Sequence, residues 1–535
     1  MSTETSHSSR VASMASGTLV SRITGFVRVL VLVWVLGFTP ISDAFNLANT
    51  VPNMLFDIVL GGIATATFIP VFVERLALDG ERRAWRSISS VITGALLILV
   101  VASIVSWFCA PWIIDGFTAL QHTSSVRSAA VLVQERAVAT ELLRWFVPQI
   151  FFYGVIGIAT SLLNIRKRFG IGTWVPVANN VVCIAVLIWF HLVDPTPVLS
   201  ALSGSRDLLW LGLGTTLGVA VQFLCLVPSL ARSNLWRLSL RFDLKDPAVK
   251  AVGRLGSWTL LVVLANQVSL YVVLAYAFGL GTSTHAVSAY TYGWSLMQMP
   301  YAVVVVSVLG ALTPQLAGFA TAKDFDGLSE RLRFGLRQSL VIIIPCTLVL
   351  VILAQPIVAI LFNHVNAVHR ISAGTVLAVL AAGLPGFTIF QLGVRGLQSM
   401  QRAREVFALY AFENALTIVL CVLLGRHSLA GLTASVSLGY SVAAIAALAV
   451  LTRHHVNITT GVWSVHVRRS LWSSLMATAV MAVVYALPSW TRGLGLVTRF
   501  AAAVLAGGVV YLLVVAFLRR RVRRGFAKSA RLDQF

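Results

Sequence analysis

The first long apolar stretch of the chain, VASMASGTLVSRITGFVRVLVLVWVL at residues 11–36, contains two arginines, Arg22 and Arg28. A charge near the centre of a bilayer costs at least about 3 kcal/mol, so membrane proteins keep one there mainly where it faces a polar cavity or a partner. Asp43 follows shortly after the stretch. Two arginines on one predicted helix indicate that this region binds an anionic substrate, although snorkelling to the interface is an alternative role for Arg28.

The composition is that of a membrane protein. Hydrophobic residues make up 58% of the chain and charged residues 11%, whereas soluble domains are about 25% charged. Apolar runs long enough to cross a hydrocarbon core of about 30 Å predict an all-α membrane protein with about 14 transmembrane helices. These runs lie near residues 11–36, 44–73, 87–114, 137–163, 169–191, 207–231, 255–279, 286–318, 338–362, 371–400, 405–425, 428–452, 470–488 and 500–518.

The distribution of basic residues predicts the topology. Most of the 41 Lys and Arg residues fall in alternate loops and at the two termini. Short cytoplasmic loops accumulate such residues, so both termini are predicted to be cytoplasmic. The basic tail RRRVRRGFAKSAR at 519–531 adjoins the last apolar run, where it is expected to contact anionic membrane lipids. These two effects account for the net charge of +22, and no nucleic-acid partner is predicted.

An internal repeat predicts two similar halves. VPQIFFYGVIGIATSLLNIRKRF at 147–169 is similar to LPGFTIFQLGVRGLQSMQRARE at 384–405, and SDAF at 42–45 is similar to VSAY at 287–290. Parallel repeats of this kind are found in transporters. The predicted organisation is a cytoplasmic N-terminus at 1–10, an N-lobe of six helices at 11–231, a C-lobe of six helices at 250–453, two further helices at 470–518 and the basic tail at 519–535.

Several classes of function are excluded or unsupported. The P-loop and GxGxxG patterns are absent, so ATP hydrolysis on this chain cannot drive transport. The five cysteines lie singly in apolar runs, which predicts neither a metal site nor a disulfide framework. The loops contain no arrangement typical of a hydrolytic site, so the chain is not expected to be an enzyme or to need an organic cofactor.

Small residues recur every four positions in the first apolar stretch, at Ser13, Gly17, Ser21 and Gly25. A stripe of this kind lets a neighbouring helix approach closely. The first helix is therefore predicted to pack tightly along one face.

Three groups of motifs together resemble the MurJ/MviN lipid II flippases, a family of the multidrug/oligosaccharidyl-lipid/polysaccharide exporter superfamily. The motifs are SRITGFVR at 21–28, SDAFNLANTVPNML at 42–55 with FIPVF at 68–72, and LLRWFVP at 142–148 with LLNIRKRFGIGTWVPVANN at 162–180. The resemblance implies two lobes forming a V around a cationic cavity. It also implies transport of an undecaprenyl-pyrophosphate-linked peptidoglycan precursor across a bacterial cell membrane, with functional roles for Arg22, Arg28 and Asp43.

The chain departs from the family pattern at cavity positions. Many members carry an arginine where this chain has Phe56 and Asp57, an acidic residue near Gly61, and an arginine where this chain has Ser295. Arg144 and Arg395 are candidate substrate-binding residues that could replace the lost positive charge. A structural role, such as an interhelical pair for Arg144, is the alternative for each.

The resemblance also implies a candidate cation site, because some relatives use a sodium site of carboxylate and amide groups in the second lobe. The polar candidates here are Asn266, Gln267, Glu413 and Asn414. A neutral, hydrogen-bonded glutamic acid is the alternative for Glu413. Sodium or the membrane potential is the expected driving force.

The sequence therefore predicts a flippase for lipid II that works by alternating access. Two alternatives stay open: an exporter of another polyprenyl-linked glycan or amphipathic compound, and a non-transporting scaffold that binds cell-wall synthesis proteins.

Overall fold

The computed structural model describes most of the 535 residues of the chain. The described residues are 2–61, 72, 74, 80–120, 129–165, 170–233, 239–243, 246–281, 285–458, 465–486 and 495–532. Regular structure in this part of the chain consists of helices without a strand. The predicted all-α class is confirmed.

The chain forms two compact units, Met1–Thr291 and Tyr292–Phe535. Among its described residues, the first unit contains ten helices and a π-helical turn at Asp57–Gly61 that continues the second of them. These helices are α1 (Ser2–Leu36), α2 (Pro40–Phe56), α3 (Gly80–Thr118), α4 (Ala129–Phe146), α5 (Pro148–Ile165), α6 (Gly170–Val193), α7 (Leu199–Leu202), α8 (Arg206–Leu224), α9 (Val227–Ala231) and α10 (Pro247–Gly279).

The next helix, α11 (Ala286–Pro300), contains the boundary between the units. The second unit then continues with π-helical turns at Tyr301–Val305 and Cys421–Gly425 and nine further helices among the described residues. These are α12 (Val306–Thr321), α13 (Phe325–Ile352), α14 (Ala354–Leu361), α15 (Ala367–Ala382), α16 (Leu384–Ser399), α17 (Ala403–Leu420), α18 (Leu429–Arg453), α19 (Val465–Ala486) and α20 (Leu496–Leu532).

A tight corner between α1 and α2 positions the sequence motif SDAF. Gly37 has a φ of 62°, a left-handed conformation that costs glycine little and ends α1. Thr39 caps α2 by accepting a hydrogen bond from the backbone amide of Ser42 at 3.2 Å, and Pro40 occupies the first turn, where no backbone donor is needed. Asp43 is thereby held in the first turn of α2.

The predicted small-residue stripe of α1 packs against α6. A methyl group on Gly17 would lie 2.6 Å from Thr173 Oγ1 and 2.7 Å from the ring of Trp174. One turn further along, Asn180 Nδ2 donates to the backbone oxygen of Ser21 at 3.2 Å and to Thr24 Oγ1 at 3.0 Å. The prediction of close helix approach is confirmed at Gly17.

The number of spans is smaller than predicted in the part of the chain that the structure describes. Eleven helical segments are long and apolar enough to cross a membrane, or twelve if the α15–α16 pair, bent by 44°, is one span. The count of fourteen is not confirmed. The described part of α2 is only 17 residues long, and α19 carries Arg468 and Arg469 in its first turns, which lower its hydropathy.

Helix α10 packs within the first unit. The ring of Tyr271 lies 4.6 Å from that of Phe117 near the end of α3, and a methyl group on Gly279 would lie 2.9 Å from the backbone oxygen of Leu120. The predicted lobes at 11–231 and 250–453 assign α10 to the other half of the chain, and those lobe boundaries stay a prediction.

Candidate functional site

Arg22 and Arg28 lie on α1 with different surroundings. Arg22 is exposed, and Arg28 is half-buried beside Tyr153 of α5 and Cys183 of α6. Neither arginine has a carboxylate partner among the described residues. Two guanidinium groups without counter-charges on a membrane-spanning helix are suited to an anionic ligand.

Asp43 belongs to a buried polar cluster in the first unit. Its Oδ1 accepts a hydrogen bond from the backbone amide of Ser288 at 2.9 Å and another from the Ser288 hydroxyl at 2.6 Å. Its Oδ2 lies 3.0 Å from Nδ1 of His285. Asp43, Ser288 and His285 are all buried, and buried carboxylates are stable only with such partners.

Two further side chains complete this cluster. The hydroxyl oxygens of Ser42 and Ser288 are 3.0 Å apart, and Asn46 Nδ2 donates to Ser288 Oγ at 3.2 Å. We name Ser42, Asp43, Asn46, His285 and Ser288 the Asp43 cluster. It ties the first turns of α2 to the beginning of α11, so separating these segments requires breaking several buried hydrogen bonds at once.

His285 was not predicted from the sequence. It has a φ of 40°, a conformation that is uncommon for residues other than glycine. The internal repeat did contain a signal for Ser288, since SDAF and VSAY align Asp43 with Ser288. The structure brings these two equivalent positions into direct contact.

Arg144 lies in the last turn of α4 and lines a cavity in the first unit together with Arg136, Glu141 and Asp115. It forms no hydrogen bond or ion pair with the residues that the structure describes, and its Nε is buried without an acceptor. The interhelical pair considered for Arg144 is therefore not observed in this part of the chain.

Gln267 contacts the carboxylate of Asp57, one of the positions at which the sequence departs from the family pattern. Gln267 Nε2 donates to Asp57 Oδ2 at 3.1 Å, and Gln267 Oε1 is buried without a donor in the part of the chain that the structure describes. Asp57 begins the π-helical turn after α2, and such turns frequently occur at functional sites. Asn266 precedes Gln267 on α10. The neighbouring Phe56 packs its ring 5.7 Å from that of Tyr153.

The remaining candidates lie in the second unit. Glu413 is buried on α17, where its Oε1 accepts a hydrogen bond from Thr417 Oγ1 at 3.1 Å and its Oε2 has no donor among the described residues. Asn414 donates to the backbone oxygen of Tyr410 at 2.7 Å. Arg395 on α16 is half-buried, and Tyr410 lies near both Arg395 and Glu413. The four predicted cation-site residues are thus divided between the two units, with Asn266 and Gln267 in the first.

Comparison with known proteins identifies the family. The model of the family described as lipid II flippase MurJ matches residues 32–506. The chain is 27% identical over 438 residues to the lipid II flippase MurJ of Burkholderia cenocepacia, covering 79% of each chain. It is 24% identical over 552 residues to the probable lipid II flippase MurJ of Rhizobium meliloti, covering 97% of each.

Solved structures support the same fold. A structure of lipid II flippase MurJ in an inward closed conformation matches with a TM-score of 0.74 at 19% identity, covering 95% of this chain and 99% of that one. An inward-facing multidrug resistance transporter of the MATE family, in the MOP superfamily, matches with a TM-score of 0.65 at 14% identity, covering 82% of this chain and 98% of that one. The family match includes α2 with Asp43, α4 with Arg144 and most other helices described above. This chain belongs to the MurJ family of lipid II flippases.

Proposed function

We propose that this protein carries lipid II from the inner to the outer leaflet of a bacterial cell membrane by alternating access. The family match over residues 32–506 is the observation that carries this proposal. A flippase moves a lipid without covalent chemistry, so the protein is not an enzyme. The many apolar helices agree with its location as a multi-pass protein of the inner or plasma membrane.

The substrate's pyrophosphate is proposed to bind Arg22 and Arg28. The planar donor fork of arginine matches phosphate oxygens in two-point hydrogen bonds, which are stronger than hydrogen bonds between neutral groups. Neither side chain has a carboxylate partner among the described residues, so a phosphate would not compete with a carboxylate for either guanidinium group, although Arg28 also contacts Cys183. Arg144 and Arg395 are proposed as additional contacts for the anionic part of the substrate.

The Asp43 cluster is proposed to act as a gate in the first unit. Its hydrogen bonds join α2 to the beginning of α11 through Asp43, Ser288 and His285. A gate must be stable when closed but open within a transport cycle, and a compact group of hydrogen bonds can be replaced by bonds to water when the segments separate. The family resemblance implies a functional role for Asp43, and orientation of an arginine in the cavity is the alternative to gating.

The driving force is proposed to be a sodium ion or the membrane potential. Glu413 Oε2 and Gln267 Oε1 are buried oxygens without donors among the described residues, and both fit the oxygen ligands that a hard cation prefers. Glu413 lies in the second unit and is hydrogen-bonded to Thr417. Gln267 lies in the first unit and is hydrogen-bonded to Asp57. Glu413 with Asn414, and Gln267 with Asn266, are therefore two candidate locations for the coupling ion.

The membrane orientation is proposed from charge. Cytoplasmic termini follow from the excess of basic residues in alternate loops, and the tail after residue 518 is proposed to bind anionic lipids. Cell-wall synthesis proteins are proposed as partners, because the substrate of the flippase is the product of one set of these enzymes and the substrate of another.

Asp57 gives a specific reason to consider a second substrate. It places a carboxylate where many family members carry an arginine, and Phe56 beside it packs on Tyr153. A less cationic binding region would favour a different polyprenyl-linked glycan or an amphipathic compound over lipid II. This exporter is the second candidate function.

Depletion complementation tests these proposals. A bacterial strain depleted of its own lipid II flippase is supplied with this chain, and growth and surface exposure of lipid II are measured. We expect both to be restored. Membrane insertion without rescue would favour the exporter, and binding to wall-synthesis enzymes without movement of any lipid would favour a scaffold.

A further inference from the structure

A cavity of about 560 Å³ lies within the first unit, and none of its lining residues belongs to the Asp43 cluster. It is formed by the C-terminal part of α3, by α4 and by the loop that precedes α8. Its walls carry two arginines, two carboxylates and two tryptophans: Arg136, Arg144, Asp115, Glu141, Trp107 and Trp145. Arg144 is proposed above as a contact for the anionic part of the substrate, and the cavity places further charged and aromatic groups beside it.

Three of the four charged groups have partners in the protein. Arg136 Nη1 lies 3.7 Å from Asp115 Oδ1, and Arg136 Nη2 donates to the backbone oxygen of Thr118 at 3.3 Å. Glu141 Oε2 accepts a hydrogen bond from the backbone amide of Gly204 at 2.8 Å. Arg144 forms no such contact with the described residues, so it presents an uncompensated cation at the cavity wall.

Arg144 and Glu141 lie three residues apart on α4, and residues at this spacing share a helix face. They nevertheless form no ion pair in the part of the chain that the structure describes. Glu141 is instead directed toward Gly204 by its hydrogen bond. The cavity therefore offers a separate cation and a separate carboxylate on one wall.

The balance of charges decides which ligand fits. A purely anionic ligand at Arg144 would also meet the carboxylates of Glu141 and Asp115, and like charges repel. A ligand with both an oxyanion and an ammonium group would satisfy Arg144 and Glu141 together. Trp107 and Trp145 also line the cavity, with their rings in edge-to-face contact at a centroid distance of 5.7 Å, and aromatic rings attract ammonium groups.

The guanidinium charge of Arg144 favours a bound oxyanion at this wall. Arg136 Nε, Arg144 Nε and Trp145 Nε1 are all buried without an acceptor among the described residues, so a ligand in the cavity does not reach these three atoms. A cation without a partner in a partly buried place is destabilising. A negatively charged oxygen beside the Arg144 guanidinium group would lower this cost through the attraction of opposite charges.

We propose that this cavity binds a zwitterionic group, with its oxyanion at Arg144 and its ammonium group at Glu141. The group could belong to the headgroup of an aminophospholipid or to an amino acid, such as one in the peptide of a lipid-linked substrate. Both sources present the same chemistry; the peptide source rests on the proposed flippase function, and the aminophospholipid source does not.

Native mass spectrometry of the purified full-length protein tests the proposal. The protein is equilibrated with equal amounts of phosphatidylethanolamine, which is zwitterionic, and phosphatidylglycerol, which is anionic. For a lipid source, we expect phosphatidylethanolamine to be retained preferentially and soluble glycerophosphoethanolamine to displace it. Arg144→Gln and Glu141→Gln should each reduce this retention at least fivefold. Arg206→Gln, which removes an exposed arginine outside the cavity, should leave retention unchanged.

A second measurement distinguishes the amino-acid source. If the bound group is an amino acid, we expect neither lipid to be preferred. Free lysine or diaminopimelate should then raise the unfolding temperature of the wild-type protein and not that of Arg144→Gln. The unfolding temperature without ligand shows whether each variant is folded, and Glu141→Gln provides an independent test if Arg144→Gln is unstable. The proposal is wrong if phosphatidylglycerol is retained in preference to phosphatidylethanolamine, if inorganic phosphate raises the unfolding temperature as much as the amino acids do, or if no probe distinguishes wild type from both variants.

Discussion

Ser288 directs both its backbone amide and its hydroxyl to one oxygen of Asp43, at 2.9 and 2.6 Å. The two residues occupy equivalent positions of the internal repeat, in VSAY and SDAF. Their contact is buried, so the Asp43 carboxylate has lost its hydrogen bonds to water. It has hydrogen bonds to Ser288 in their place, and these exist only while α2 and the start of α11 are in contact. Separation of the two segments therefore breaks both hydrogen bonds to Asp43.

Replacing Asp43 by asparagine should slow transport more than it reduces folding. Asparagine retains the shape and one acceptor oxygen. Its amide nitrogen cannot accept the hydrogen bond that Asp43 Oδ2 accepts from Nδ1 of His285. We expect the initial rate of lipid II flipping in proteoliposomes to fall at least tenfold with normal membrane abundance. Glu330→Gln, which changes an exposed carboxylate on α13, serves as the control. Wild-type flipping in Asp43→Asn would exclude the carboxylate from the gate.

A disulfide across the same contact should stop transport reversibly. The hydroxyl oxygens of Ser42 and Ser288 are 3.0 Å apart, so Ser42→Cys with Ser288→Cys places two sulfurs close enough to bond. The experiment requires replacement of Cys109, Cys183, Cys225, Cys346 and Cys421. We expect oxidation to abolish flipping and reduction to restore it, while the single variant Ser42→Cys does not respond. Full transport by the crosslinked protein would show that this contact need not open.

The two arginines of α1 should be necessary for transport. Arg22→Ala and Arg28→Ala each remove a cation without a carboxylate partner among the described residues, and an anionic substrate loses a charge-assisted contact worth about 1.5–3 kcal/mol. We expect each variant to reduce flipping about tenfold or more and to abolish growth rescue at normal abundance. Arg206→Ala should rescue normally. Normal growth with Arg28→Ala would instead assign Arg28 to snorkelling.

The sequence predicted those features that depend on local pattern. The apolar runs gave the all-α membrane fold, and the spacing of Gly17 in a stripe of small residues gave its close contact with α6. The contact of Asp57 with Gln267 could not be predicted in the same way, because it joins helices far apart in sequence. The position of His285 depends on a left-handed backbone turn between α10 and α11, for which the residue pattern contains no signal.

Removing the charge of Glu413 should change the sodium dependence of transport. If the carboxylate binds the coupling ion, Glu413→Gln retains an oxygen that can accept from Thr417 but loses the charge that holds the ion. We expect half-maximal flipping in proteoliposomes to require at least tenfold more sodium, or sodium stimulation to disappear. Glu330→Gln is again the control. Unchanged sodium dependence with full activity would indicate a neutral, hydrogen-bonded glutamic acid that glutamine replaces.

The close packing of α1 on α6 should make Gly17 intolerant of a larger side chain. A methyl group there would already lie 2.6 Å from Thr173 Oγ1, whereas one on Gly94 of α3 has no neighbour within 4 Å. Overpacking of this kind costs about 1–3 kcal/mol, so Gly17→Val should lower the unfolding temperature of the purified protein measurably. Gly94→Val introduces the same side chain into a membrane helix and should change the unfolding temperature much less. Equal stability of the two variants would show that α1 can move away from α6 without cost, and that the α1 arginines are not held in place by this contact.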